Sequence, residues 1–320
     1  MLSRRALIYI GERLVLIAFT VVAVSSIVFV GVHQLPGNAF LSDRRIDAAA
    51  QAALLHHYHL DIPLFDQYRL FVSGIFRGDL GESLVNRGIP ITPLLLREAS
   101  VSLEVGATAL LFTIGLGMVL GVIAAIRQNT WIDYLATTAS VIGYSIPNFV
   151  TASVLVLVFA VYLYNWTGGT IYYEVGWDGT YGKLGQIFIP AFALGFPYAS
   201  IVARLTRASM LEVLKQDYVR TARAKGLTDR IVIIRHALRN ALIPVVTILG
   251  PLTIGIITGS VVVENLFGYP GLGGLLLFAS LNKDVPLLET CVMVVATIYL
   301  IANTIADLSY AVLNPRIRYA

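Results

Sequence analysis

Charge is what this sequence has least of. Only 13% of its 320 residues are Asp, Glu, Lys or Arg, against about a quarter in soluble domains. A water-facing fold of this length needs more charged surface, so the bilayer is the natural second solvent. Cysteine is nearly missing: Cys291 stands alone, so no intramolecular disulfide can form and the redox compartment cannot be read from it. No Gly-x-x-x-x-Gly-Lys-Ser/Thr run occurs. The nearest approach, Gly182-Lys183, is followed by Leu184 and has Trp177 where the first glycine belongs. Without that phosphate cradle the chain is not expected to hydrolyse ATP itself. The Gly-x-Ser-x-Gly of intramembrane serine proteases and the His-Glu-x-x-His of zinc proteases are also missing, which argues against a membrane-embedded protease. There is no low-complexity segment and no clear internal repeat.

What is abundant is apolar length. Hydrophobic residues make up 57% of the chain, and the mean hydropathy is +0.77. Six stretches approach the roughly 20 apolar residues that a spanning helix needs: 14–32, 103–126, 134–162, 187–203, 241–263 and 288–308. The third is longer than necessary and holds Pro147, which predicts a kink or tilt. The fourth holds Pro190 and Pro197 and is the weakest of the six. The first follows Arg4, Arg5 and Arg13. Its full apolar length, followed by Gly31-Val32-His33-Gln34-Leu35-Pro36 rather than a small-residue cleavage site, favours a retained anchor over a cleaved signal.

The net charge of +4 lies between these stretches, as topology requires, so nucleic acid is not the expected partner. Six spans put both termini on one side. Arg4, Arg5, Arg13, Arg127, a basic loop over 204–240, Arg316 and Arg318 share that side, which is therefore expected to be cytoplasmic. The organisation expected is an N-terminal end with its first span (1–33), an extracytoplasmic segment (34–101) and a core of spans (102–320). The outer segments 165–185 and 264–285 are short; the first is rich in Gly, Tyr and Trp and admits a β-hairpin.

The loop carries the most specific pattern: Asp217-Tyr218-Val219-Arg220-Thr221-Ala222-Arg223-Ala224-Lys225-Gly226-Leu227-Thr228-Asp229. Asp217 suits the first turn of a helix, and Arg223 and Lys225 its last. Gly226 suits a left-handed C-terminal cap. Thr228 or Asp229 can cap a second helix running towards Asn240. Two short helices around a glycine form a compact basic elbow, either a docking element or merely a positive topology signal.

This segment resembles the EAA loop of binding-protein-dependent ABC importer permeases, in their peptide and nickel branch. Arg220, Thr221 and Ala222 stand where the pattern has Glu-Ala-Ala, and Gly226 occupies the fixed glycine. Leu238-Arg239 replaces the usual Leu-Pro, as in the first of the two permeases of peptide systems. Gly78-Asp79-Leu80-Gly81-Glu82-Ser83, Ser145-Ile146-Pro147-Asn148-Phe149, Glu264-Asn265-Leu266-Phe267-Gly268-Tyr269-Pro270-Gly271-Leu272-Gly273 with Asp284 and Pro286, and Asn314-Pro315-Arg316 resemble further family segments in the family's order.

The resemblance implies an all-α polytopic membrane protein of about six spans with the type I ABC importer permease fold. It implies a permease half for peptides in a bacterial inner membrane, without its own ATPase site and without a cofactor. Its implied partners are a second permease, two ABC ATPase subunits and an extracytoplasmic substrate-binding protein. Asp217, Tyr218, Arg220, Thr221, Ala222, Ala224, Lys225 and Gly226 would couple to the ATPases. Glu264, Phe267, Pro270 and Gly271 are candidates for an outer gate. The alternatives are a nickel or other small-solute permease, or a stand-alone secondary transporter, which the scarcity of mid-span charge opposes.

Other residues are weighed on chemistry. His56, His57 and His59 are expected at the surface, since adjacent histidines on a helix point apart; no metal site is assigned. Glu104, Asp133 and Glu289 lie near span ends, where water is expected to reach them, and Asp307, near the inner end, is expected to pair with a basic residue; all four are transport candidates only because intramembrane ionisable groups often are. Gly117 with Gly121, and Gly255 with Gly259, are spaced for close helix contact. If the topology is right, a tag placed after Ala320 is shielded from impermeant labels added to intact cells. Labelling from outside would overturn it.

Overall fold

The computed structural model describes residues 4–34, 48–177, 182–258 and 260–313. Apart from one isolated bridge between Glu82 and Pro90, regular structure among them is helical. In chain order the helices are α1 (Arg4–His33), α2 (Ala48–His57), α3 (Leu64–Arg77), α4 (Ile91–Ile126), α5 (Trp131–Ser145) and α6 (Asn148–Val156). A π-helical stretch, Leu157–Tyr162, leads into α7 (Leu163–Thr167). Then come α8 (Gly182–Val213), α9 (Asp217–Ala224), α10 (Asp229–Ile231), a second π-helical stretch Val232–Leu238, α11 (Arg239–Ala241) and α12 (Ile243–Thr258). The last three are α13 (Ser260–Phe267), α14 (Leu272–Leu281) and α15 (Val285–Leu313).

Five helical stretches are long and apolar enough to cross a bilayer: Val15–His33, Ile91–Ile126, Asn148–Thr167, Gly185–Val213 and Val285–Ile305; two bent pairs raise the number to as many as seven. Several expected boundaries move. The stretch 134–162 is not one helix. Ile146 is extended, as the residue before a proline prefers, and Pro147 caps the start of α6, so the third span becomes Asn148–Thr167. The fourth does not end at residue 203: α8 runs on to Val213, and the first ten residues of the expected loop are helix. The stretch 241–263 divides between α12 and α13. The outer segment 165–185 shows turns and no strand as far as Trp177, so no hairpin forms among its described residues.

The chain forms two compact units, residues 1–102 with 270–301, and 103–269 with 302–320. Residues 270–301 thus group with the first hundred residues. A buried carboxylate and an apolar core join them. Asp284, fully buried at the start of α15, accepts hydrogen bonds from Ser83 Oγ at 2.5 Å, Leu84 N at 3.1 Å and Val85 N at 3.2 Å. A buried carboxylate is tolerated when it is hydrogen-bonded in this way. Around the clamp, Ile91, Leu95, Leu272, Ala279, Leu287 and Cys291 form an apolar core; the lone cysteine is packing. α1 and α3 meet through Phe29 against Tyr68 and Phe71, with Ser26 Oγ 2.6 Å from the Tyr68 hydroxyl.

In the second unit α8 is the axis. Its best spanning window is 61% buried, against 6% for Asn148–Thr167, so α8 faces protein while α6 and α7 face outward. The span flagged as weakest is therefore the central one. Its hydropathy is the lowest of the five, 1.5, because a helix surrounded by protein need not be apolar on every side. Glycines let its neighbours approach. A Cβ on Gly117 would lie 2.7 Å from the Ala199 carbonyl oxygen, one on Gly121 2.5 Å from that of Ala203, and one on Gly195 2.6 Å from that of Ala109. α4 and α8 are thus in near backbone contact, the arrangement small residues permit in membranes. Gly255 abuts Tyr198 in the same unit; Gly259 lies outside the described residues.

A methyl group at residue 121 has nowhere to go but into backbone. Gly121→Ala should lower the midpoint of thermal unfolding in detergent, by the roughly 1–3 kcal/mol typical of overpacking. Gly115→Ala, where a Cβ meets nothing within 4 Å, should not.

Candidate functional site

The site is built at the end of α8. Arg207, two turns from that end, donates to Asp133 through Nε at 2.6 Å and Nη2 at 2.7 Å. Asp133 lies in the first turn of α5, outside the five spans, and also accepts from the Asn129 amide at 3.0 Å. The fork-on-carboxylate geometry is the strong form of an ion pair. Hydrogen bonds from Arg207 hold the Asp133 carboxyl down at about 2, so it is ionised at any pH a cell meets. Its stabilising effect is present above the ordinary carboxylate range and is lost only as pH falls through about 2. Asp133 is therefore a strut between α5 and α8. The expectation that water reaches Asp133 is not met: its side chain is only 3% exposed.

Beyond Val213 three residues turn the chain into α9. Val219 and Ala222, one turn apart on α9, bury against Val232, with Val213 and Leu214 packed beside them. This is the i, i+3 apolar face of a short amphipathic helix. α9 ends in a Schellman cap: the Gly226 amide donates to the Arg223 carbonyl at 2.9 Å and the Leu227 amide to that of Ala222 at 3.4 Å. Gly226 has φ +79°, a region glycine enters without steric cost. Thr228 is extended before α10, but its side chain makes no capping hydrogen bond. The elbow is closed by Asn240 Nδ2 donating to the Tyr218 hydroxyl at 2.8 Å.

Of the eight residues singled out in the elbow, Ala222 is buried and the other seven, Asp217, Tyr218, Arg220, Thr221, Ala224, Lys225 and Gly226, are exposed. Ala222 therefore holds α9 to the bundle and does not belong to a contact surface. The pairs Asp217–Arg220 at 3.6 Å and Arg223–Asp229 at 3.2 Å are exposed and add little stability. They leave the outer face polar and of mixed sign. Nothing in the spacing of the sequence pairs Asp133 with Arg207 or Tyr218 with Asn240. The burial of Val219 and Ala222 was available from helical periodicity.

The gate candidates divide between the two units. Glu264 and Phe267 are core residues of the second unit, Phe267 lying edge-on to Tyr173, and the Gly176 amide donates to the Phe267 carbonyl at 2.9 Å. Pro270 and Gly271 belong to the first unit, where Gly271 precedes α14. Glu289 is not at a watery edge either: it is 3% exposed, with one oxygen 3.2 Å from His33 Nδ1. Glu104 is exposed; the side chain of Asp307 lies outside the described residues. His56 pairs with Asp61 at 2.8 Å, while His57 faces Glu82 at 3.7 Å. The two histidines serve different carboxylates.

The pattern of the family described as binding-protein-dependent transport system inner membrane component matches residues 117–319. The oligopeptide transport system permease protein OppB of Haemophilus influenzae is 39% identical over 284 residues, covering 89% of this chain and 90% of that one. The dipeptide transport system permease protein DppB of Bacillus subtilis is 39% identical over 310 residues, covering 97% of each. Among solved structures, an inward-facing form of the MetNI methionine ABC transporter aligns with a TM-score of 0.56 at 16% identity, over 70% of this chain and 98% of that one. An amino acid ABC transporter solved with histidines aligns at 0.52 and 15%, over 68% and 94%. At such identities the likeness speaks for the fold, that of the type I ABC importer permeases.

The glycine cap can be tested alone. Gly226→Ala forces a Cβ into the left-handed region at a cost of roughly 1–2 kcal/mol, with open space around it. Amide exchange over residues 217–232 should quicken about fivefold or more, with exchange in α8 unchanged. Unchanged exchange in the elbow would show that the cap does not hold it.

Proposed function

The chain belongs to the family of binding-protein-dependent transport system inner membrane components, and from that premise we propose that it forms half of the translocation pathway of an ATP-driven importer of short peptides. The observation that carries the proposal is the elbow. It is an exposed helix of eight residues, Asp217–Ala224, hung by a buried face from the end of the most buried span. Such an element transmits force only if something outside the chain grips it. The sequence holds no phosphate cradle, and in this reading partner ATPases supply the energy. In this reading two ATPase subunits take the exposed face of the elbow, a second permease completes the pathway, and an extracytoplasmic binding protein delivers the cargo.

The mechanism is alternating access. ATP binding draws the ATPases together and moves α9 with them. Val219 and Ala222 pass that motion to Val213 and Leu214 at the foot of α8, and the Asp133–Arg207 strut carries α5 along. Each ligand acts only through unequal affinity for the two states. Peptide cargo is supported by relatives named for oligopeptide and dipeptide transport that match nearly end to end. The elbow then faces the cytoplasm of a bacterium, with both termini on the same side of its inner membrane. The outer gate is assigned to Glu264, Phe267, Pro270 and Gly271. The burial of Glu264 and Phe267 suits a closed gate, and an ionisable group at such a position is a functional candidate.

The test is reconstitution of the whole complex in proteoliposomes. With binding protein and a tripeptide present, wild type should show peptide-stimulated ATP hydrolysis and uptake. Gly226→Pro sets φ near −65° where +79° is needed. It should insert and assemble yet lose the stimulation and at least tenfold of the uptake. Normal peptide-stimulated uptake by that variant would overturn the lever role. A complex that purifies without an ATPase would overturn the importer.

A further inference from the structure

Just beyond the elbow the chain forms a groove of about 420 Å³ lined by Arg235, Arg239 and the imidazole of His236, with no carboxylate among its described lining residues. Arg235 and Arg239 are exposed, stand four residues apart, and make no ion pair among the described residues. Like charges at this spacing on a helix repel, and a guanidinium does not relieve the repulsion by losing its proton. Both sit on or beside the π-helical stretch Val232–Leu238, a form of helix that recurs at functional sites. On one flank the Tyr218 hydroxyl accepts from Asn240, which leaves the tyrosine O–H directed to donate elsewhere.

The other wall is apolar. Leu242, Ile243 and Val246 line the same groove and lie at the start of α12, where the helical path bends by 51° between Asp229–Ala241 and Ile243–Thr253 on its way into the bilayer. A free phosphate or an acidic side chain of a partner protein would use the arginines and leave this wall uncovered. A phospholipid uses both halves at once. Basic pockets at the membrane boundary are the usual form of headgroup recognition, each nearby Lys or Arg adding to the attraction.

We propose that this groove binds an anionic phospholipid, its headgroup phosphate held by Arg235 and Arg239 and its acyl chains lying along Leu242, Ile243 and Val246. The bound lipid would pin the root of the elbow to the bilayer surface, giving the lever a fixed pivot. The lipid belongs to the cytoplasmic leaflet if the orientation proposed above holds; the binding itself does not depend on that orientation.

The full chain is purified in detergent and exposed to an equimolar mixture of phosphatidylglycerol and phosphatidylcholine with identical acyl chains. Retained lipid is counted by native mass spectrometry. Wild type should retain phosphatidylglycerol preferentially, and R235Q/R239Q should lower that preference about tenfold or more. R220Q/R223Q, which removes the same charge from the exposed face of the elbow, should keep it. Equal retention of the two lipids by wild type, or equal loss in both double variants, would overturn the site. So would displacement of the lipid by millimolar inorganic phosphate, which would mean that the groove holds a free anion. Because the readout involves neither ATP nor transport, a failure here leaves the importer reading standing, and a failure of the importer leaves this site standing.

Discussion

The approach of α4 to α8 sets the terms for everything around it. Where Gly117 and Gly121 face Ala199 and Ala203, two backbones lie so close that a methyl group would collide with a carbonyl oxygen. Lipid offers helices no hydrophobic reason to associate, so they are held by such close packing and by the few polar contacts that survive without water. Gly195 repeats the device one turn earlier on the same face of α8, and Thr113 adds a hydrogen bond to its carbonyl at 3.1 Å. A helix gripped on several sides moves as one body. That is why a helix with two internal prolines, Pro190 and Pro197, can still act as the axis of its unit.

From that axis the rest of the second unit follows by short steps. The Asp133–Arg207 pair joins α5 to α8 near its end, and Met210 packs with Ala125, Ala237 and Ala241. The helices beside the elbow are therefore fixed to α8 before the chain turns at Val213. The elbow itself is light, resting on two buried side chains and a glycine cap. Its stability is local and its attachment is stiff. A segment that must be gripped by another protein, and must pull on a bundle when gripped, needs that combination.

The first unit solves a different problem with one carboxylate. Ser83 and Asp284 are 201 residues apart, and Asp284 satisfies two consecutive amides and a hydroxyl of the outer segment while it starts α15. Buried without those donors the carboxylate would be expensive; with them it makes residues 270–301 part of the same unit as the first hundred. Glu289, one turn further along α15, is likewise buried and set against His33.

The lipid surroundings, most of the spans and the shape of the elbow were legible in the order of residues. Apolar length, capping residues and a glycine at the end of a helix act within a few turns, so they can be read in a window of about twenty residues. The same locality explains the errors. A proline next to an extended isoleucine moved the third span, and a helix shielded by protein looked like the least apolar one. Which helix became the axis, which carboxylates were buried and which arginines lack a counter-ion among the described residues depended on how the helices pack. Those outcomes depend on distant partners, 74 residues away for Asp133 and Arg207 and 201 for Ser83 and Asp284, chosen by packing geometry, and such partners leave no period or spacing in the sequence.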